Sequence, residues 1–309
     1  MNVVIGAVAQ GLIWAVMAIG VYITYRILDI ADLTAEGVFT LGGGVTCVLI
    51  TSGVNPFAAT AVALVAGLVA GFVTGILHTK FKIPALLSGI LTMTALWSVN
   101  LRVMGKSNIP LLKETTIVSM LEDLLLNMGV DSTLTKNFAA IIAGLILTAI
   151  VVLILWWFFK TEFGYALRAT GNNQNMIRAN GVNTNKAIII GVMLGNGLIA
   201  LSASFVSQFN CFADISMGVG TIVIGLASVI IGEVVFGHRN ILHSLIAVAL
   251  GSVLYRIIIA LVLELGLKTD DMKLISSILL TIALCFPAIR SIATKNLKNS
   301  VKKGGITNA

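Results

Sequence analysis

The chain has 309 residues, of which 58% are apolar and only 11% charged, and its mean hydropathy is +1.02. A soluble globule carries about a quarter charged residues, so this composition excludes one and indicates a polytopic membrane protein. The net charge of +7 calls for no nucleic acid, because basic loops facing the cytoplasm and anionic lipid account for it.

Crossing roughly 30 Å of hydrocarbon as a helix takes about 20 apolar residues. Nine runs are candidates: Val3 to Leu28, Val38 to Gly53, Pro56 to Thr79, Ile83 to Met104, Asn137 to Phe159, Ala187 to Gln208, Val219 to Phe236, Leu242 to Gly266 and Leu274 to Ile289. The fold class is therefore all-α, with about eight to ten transmembrane helices. The first run has no basic residue ahead of it and no small-residue cleavage pattern after it, so it reads as a span and not as a signal peptide. The second and seventh are short and glycine-rich, as in Leu41-Gly42-Gly43-Gly44 and Gly218-Val219-Gly220. Short, interrupted segments in matching places suggest discontinuous helices.

An internal repeat supports that reading. Ala31-Asp32-Leu33-Thr34 follows the first run, Ala213-Asp214-Ile215-Ser216 follows the sixth, and each leads into a glycine-rich run. The parity of the spans puts the two copies on opposite faces, as an inverted-topology repeat demands. Asp32, Thr34, Glu36, Asp214 and Ser216 then lie beside irregular backbone. They either line a water-filled path between the halves, joined by Glu233, or cap the helices that follow. Glu233, Arg256 and Glu264 must face protein or water.

Gly67, Gly71 and Gly75 form a small-residue stripe for helix packing. From Ile117 to Met128 apolar residues recur at helical spacing with Glu122 and Asp123 opposite, which describes a helix lying flat on the outer surface or serving as a dock.

The most specific segment is the polar stretch Lys160 to Lys186. It opens on Lys160 and Arg168, turns through Gly171 and Asn172, runs as a short amphipathic helix from Asn173 to Asn180 and stops at Gly181, a helix C-terminal signal. A hydrophilic helix tethered at both ends to bilayer spans delivers any push it receives to those spans. With Lys80, Lys82, His238, Arg239 and the tail lysines, it marks the cytoplasmic face; nine spans then put the N-terminus outside.

Enzymatic chemistry has no footing in the sequence. Cys47, Cys211 and Cys285 are isolated and the three histidines form no zinc motif. There is no Gly-Lys-Ser/Thr phosphate loop, so energy must come from a partner or an ion gradient. In the second case Glu233, Glu264 or Asp214 would serve as the coupling acid of a secondary transporter. A scaffold or uncoupled channel is a further alternative.

The stretch Phe163 to Asn172, with Ile177 to Ala179 and Gly181-Val182-Asn183, resembles the coupling region of permeases in ABC importers of the branched-chain amino acid and ribose transport family. The likeness extends through Asp32-Leu33-Thr34, Glu36-Gly37, Phe212-Ala213-Asp214, Met217 to Gly220 and Val229 to Glu233. Within the family it is most similar to the tryptophan and tyrosine uptake subgroup of Gram-positive bacteria. The resemblance implies a single permease domain over 1–309: a first half (1–136), a linking span (137–159), a cytoplasmic coupling region (160–186), a second half (187–290) and a basic cytoplasmic tail (291–309). It implies a permease homodimer in the bacterial plasma membrane, two ATPase subunits that bind ATP and Mg, and an external substrate-binding lipoprotein. Arg168, Gly171, Asn173 and Gly181 would shape the coupling element, and Met176, Ile177 and Ala179 would enter the ATPase groove. The solute would be an aromatic amino acid, with branched-chain amino acids, nucleosides and sugars as alternatives.

Overall fold

The computed structural model describes residues 2–127, 132–265 and 274–285. Among these, seven helices are long and apolar enough to cross a membrane, and two shorter apolar helices accompany them. In chain order the elements are α1 (Asn2–Tyr22), a π-helical turn (Ile23–Ile27), α2 (Thr34–Thr51), α3 (Pro56–Thr79), α4 (Ala85–Met104), β1 (Asn108–Pro110), α5 (Ile117–Asn127), α6 (Ser132–Phe159), α7 (Glu162–Asn172), α8 (Gln174–Ala179), α9 (Thr184–Asn210), β2 (Phe212–Asp214), α10 (Thr221–Phe236), α11 (Ile241–Glu264) and α12 (Leu274–Cys285). The last residues of the ninth run and the basic tail lie outside the described residues.

Helices dominate because a bilayer offers backbone groups no partner, and each span must satisfy its own. Between spans, small residues and hydroxyls make the contacts. α1 is the central post: Ser202 of α9 donates to the Ile13 carbonyl (2.8 Å), Ser252 of α11 to the Gly11 carbonyl (2.9 Å), and Thr148 of α6 to the Leu12 carbonyl (3.0 Å). Gly67, Gly71 and Gly75 lie against α9, where an added Cβ would meet Ala200 and Asn196, then Val192 and Met193, then Ile189. The stripe is a packing surface, as its spacing suggested.

Two arms of the chain match as an inverted pair. α1 and α9 run antiparallel, α3 packs on α9 as α11 packs on α1, and α2 and α10 follow α1 and α9 respectively. The junctions correspond in detail. Asp29 (φ +57°) and Cys211 (φ +61°) are both left-handed and stand at the same distance ahead of Asp32 and Asp214. Each aspartate then accepts from the backbone two residues on: Thr34 N–H to Asp32 Oδ1 at 3.0 Å, and Ser216 N–H to Asp214 Oδ1 at 2.8 Å. The similarity between the two tetrapeptides therefore encodes one turn used twice.

One expectation is corrected. The run Gly42-Gly43-Gly44 does not interrupt α2, which is a continuous helix. Successive residues are turned by about 100°, so each glycine lies against a different neighbour: Gly42 against Ala200, Gly43 against Ser207 and Met217, Gly44 against Met104. The discontinuity lies ahead of α2, at residues 28–33. In the loops, β1 and β2 form a two-stranded antiparallel ladder, Asn108 opposite Asp214 and Pro110 opposite Phe212. It clips together the loops that follow α4 and α9. α5 docks on α6 and the end of α9, its first backbone N–H donated to Gln208 Oε1 at 2.9 Å and Ile117 and Val118 buried.

The loop ends sort into two groups. Arg26, Asp29, Arg168 and His238 line one polar cavity, and the end of α3 reaches the start of α9 through Gly75 and Ile189. Both lie at the end opposite the β1–β2 clip, which is the partition of basic loops that the positive-inside rule requires.

Candidate coupling element and solute path

Thr161 starts α7: its Oγ1 accepts from Gly164 N–H (3.2 Å), and Glu162 stands at the positive end of the helix. α7 runs through Asn172, so the turn expected at Gly171-Asn172 comes one residue later, at Asn173 (φ −157°). Gly171 is glycine for a different reason. A Cβ there would overlap the carbonyl of Ile27 and press on Leu28. The helix continues because Leu167 and Thr170 are fully buried, Leu167 against Leu28 beside Gly191.

Asn173 then caps α8, accepting from Met176 N–H at 3.0 Å. α8 closes at Gly181, whose φ of +82° suits glycine, and Val182 N–H returns to the Ile177 carbonyl. Asn183 begins α9 by accepting from Lys186 N–H. Arg178 ties the two helices, its Nε donating to Thr184 Oγ1 at 2.6 Å and its Nη2 to Asn185 Oδ1 at 3.3 Å. The three apolar residues of α8 divide. Ile177 is buried within the chain, whereas Met176 and Ala179, one turn apart on the same face, are exposed. A partner would therefore meet Met176 and Ala179, with Ile177 anchoring α8 from within.

This element rests on the inner end of α1. Gly171 and Leu167 touch Ile27 and Leu28, directly after the π-helical turn, a local widening often found at functional sites. Arg168 is exposed and lines the inner cavity of about 490 Å³ with Arg26, Asp29 and His238. Arg26 pairs with Glu233 at 2.9 Å, joining the inner ends of α1 and α10. Glu233, read from sequence as a path residue, is held in that ion pair.

Further into the molecule the path residues separate. Asp32 is buried, its Oδ2 accepting from Asn196 Nδ2 at 2.6 Å, and Thr34 shares a hydrogen bond with Thr74 (2.9 Å). Asp214 and Ser216 bond to each other in the turn that follows β2. Glu36 alone of the six stands between the starts of α2 and α10. It lies in the first turn of α2, and its Oε1 accepts from Gly220 N–H (3.0 Å) at the start of α10. Gly218 N–H donates to Thr40 Oγ1 (3.1 Å). One carboxylate thus sits at two helix N-termini, both of which favour negative charge. α2 and α10 depart from this point in opposite directions. The structure does not gather the six residues into one cluster: it gives two turns, one ion pair and one central carboxylate.

Sequence reading passed over Asn100, a lone amide in an apolar run. It is buried, its Nδ2 donates to the Gly37 carbonyl (3.0 Å), and its Oδ1 has no partner among the described residues. Arg256 lies over the Trp14 ring (4.0 Å to the centroid) and donates to Gln10 (3.3 Å). These contacts meet only part of its cost in the bilayer, since its buried Nε has no partner among the described residues.

A family model described as branched-chain amino acid transport system / permease component matches residues 3–285. The tyrosine transport system permease protein of Clostridioides difficile (strain R20291) is 41% identical over 303 residues, covering 98% of this chain and 95% of that protein. Uncharacterized protein RP368 of Rickettsia prowazekii is 35% identical over 288 residues, with 92% and 97% covered. The ribose import permease protein RbsC of Escherichia coli (strain K12) is 26% identical over 279 residues, with 84% and 82% covered.

Proposed function

Because the chain belongs to the branched-chain amino acid transport system / permease component family, and is thus the permease component of an ABC-type transporter, we propose that it works as the membrane channel of an ATP-driven importer of aromatic amino acids. In this reading two copies of the chain pair in the bacterial plasma membrane. Two ATPase subunits, which hold ATP and Mg, grip α8 of each copy, and an external lipoprotein delivers the solute. The observation that carries it is the seating of α7, which leads directly into α8, on the inner end of α1: Leu167 and Gly171 press on Ile27 and Leu28, so movement of the exposed face formed by Met176 and Ala179 would pass through them toward the start of α2. Closing and opening of the ATPase pair would bias the two arms between inward and outward openings.

The similarity to a protein named for tyrosine transport favours an aromatic solute over a branched-chain amino acid, a nucleoside or a sugar. An ion-coupled carrier would draw on Glu233, Glu264 or Asp214, of which Glu233 is committed to Arg26 and Asp214 to its turn.

Ala179→Asp tests the coupling role. The side chain is exposed in the free permease, so folding tolerates the change, yet burying an unpaired charge in a partner's groove costs several kcal/mol. The variant should insert in the membrane at normal levels and lose both capture of the ATPase and transport. Full transport by a normally inserted Ala179→Asp protein would refute the assignment.

A further inference from the structure

Between α2, α4 and the turn that leads into α10 lies a cavity of about 350 Å³, within the range of small-molecule sites, about 300–1,000 Å³. Its polar groups are mainly acceptors. Asn100 is 2% exposed. Because its Nδ2 must face the Gly37 carbonyl, the unpaired oxygen is fixed as the free end of the amide. Buried acceptors are nearly always paired, and one left open asks for a donor. Glu36 borders the same cavity. One of its oxygens is bound to Gly220 N–H, and its other oxygen is uncommitted among the described residues.

The apolar side of the cavity is supplied by Trp97, Met93 and Val219, and Trp97 is 45% exposed. The exposed faces of α3 and α6 are apolar, with Val62, Val65 and Val69 on one and Leu145, Ile146 and Ile150 on the other, and they suit lipid. α4 differs, since Thr94, Ser98 and Arg102 are exposed at four-residue spacing beside Trp97. Polar residues in a span face protein or water and not lipid.

We propose that this cavity is the transit seat for the solute, taking a protonated amine between Glu36 and Asn100 Oδ1 and an aromatic ring against Trp97. The proposal rests on the importer reading and names the solute contacts within it. It places the seat where α2 and α10 begin, so rocking of the arms would open it to each face in turn. As that rocking uncovers the buried Asn100 Oδ1, the amine would supply the donor it lacks, and the ring would cover the indole face. A solute without an amine, such as a sugar, would leave both acceptors unserved.

The test uses the whole transporter in proteoliposomes: this chain, its ATPase and its binding protein. Glu36→Gln keeps an oxygen for Gly220 N–H and removes only the charge, so a purely structural role for Glu36 predicts uptake near wild type. Loss of a charge-assisted contact predicts that tyrosine uptake per assembled complex falls about tenfold or more. Trp97→Ala should lose uptake and Trp97→Phe keep most of it. Independently, a photoreactive phenylalanine carried by the wild-type complex should label residues 93–97, with excess tyrosine suppressing the label. Wild-type tyrosine uptake by Glu36→Gln, or labelling confined to other helices, overturns the seat and leaves the aromatic importer standing. A wild-type complex that accumulates ribose and no tyrosine overturns both.

Discussion

Gly171 and Asp32 show how single residues carry the design. Gly171 has ordinary helical geometry, yet it can be nothing larger because the Ile27 carbonyl occupies the place of its Cβ. Overpacking of this kind costs about 1–3 kcal/mol. Gly171→Val should lower the thermal midpoint of the detergent-solubilised protein, whereas the same change at exposed Asn172 should leave it within error. Equal midpoints would mean that α7 is not pressed on α1. The sequence marks Gly171 but not its role, because a helical glycine chosen for contact and a turn glycine are the same letter.

At the scale of elements, the repeated turn offers a comparison the protein makes with itself. Asp32 and Asp214 accept the same backbone hydrogen bond, but Asp32 is buried and also satisfies Asn196 Nδ2, while Asp214 is partly exposed. Asp32→Ala leaves two buried donors unmet and should cost about 3 kcal/mol, against about 1 kcal/mol for Asp214→Ala. The resistance of each variant to trypsin in detergent would measure the difference, and equal losses would contradict the burial-based account. The tetrapeptide similarity made this pair legible in the sequence, as the extent of amphipathic α8 was legible between Asn173 and Gly181. The β1–β2 ladder was not, since three-residue strands carry no alternating pattern. Nor was the inward turn of Ile177, which depends on what α8 packs against. The apolar runs themselves were readable because a bilayer requires length and hydrophobicity together, and the ends differ from the runs by only a few residues where loops begin inside the fold.

For the whole molecule, the partition of its ends sets its orientation in the membrane. The end bearing Arg26, Arg168 and His238 should face the cytoplasm and the β1–β2 clip the outside. Single cysteines, in a background without Cys47, Cys211 and Cys285, should react with an impermeant thiol reagent from outside at Ser107 and not at Asn173. External reaction at Asn173 would invert the arrangement and remove α8 from reach of a cytoplasmic ATPase. Asn100 and Trp97 gain meaning only at this scale, because a lone amide and a tryptophan in an apolar run look like ordinary span residues until the opposing turn is placed beside them. The claim that joins all three scales is that force enters at α8 from a partner that hydrolyses ATP. It is tested most directly by uptake of labelled tyrosine into proteoliposomes containing the permease and binding protein, with and without the ATPase subunits. Accumulation should require the ATPase and ATP together and be unaffected by imposed proton or sodium gradients; accumulation driven by either gradient in the absence of the ATPase would contradict it.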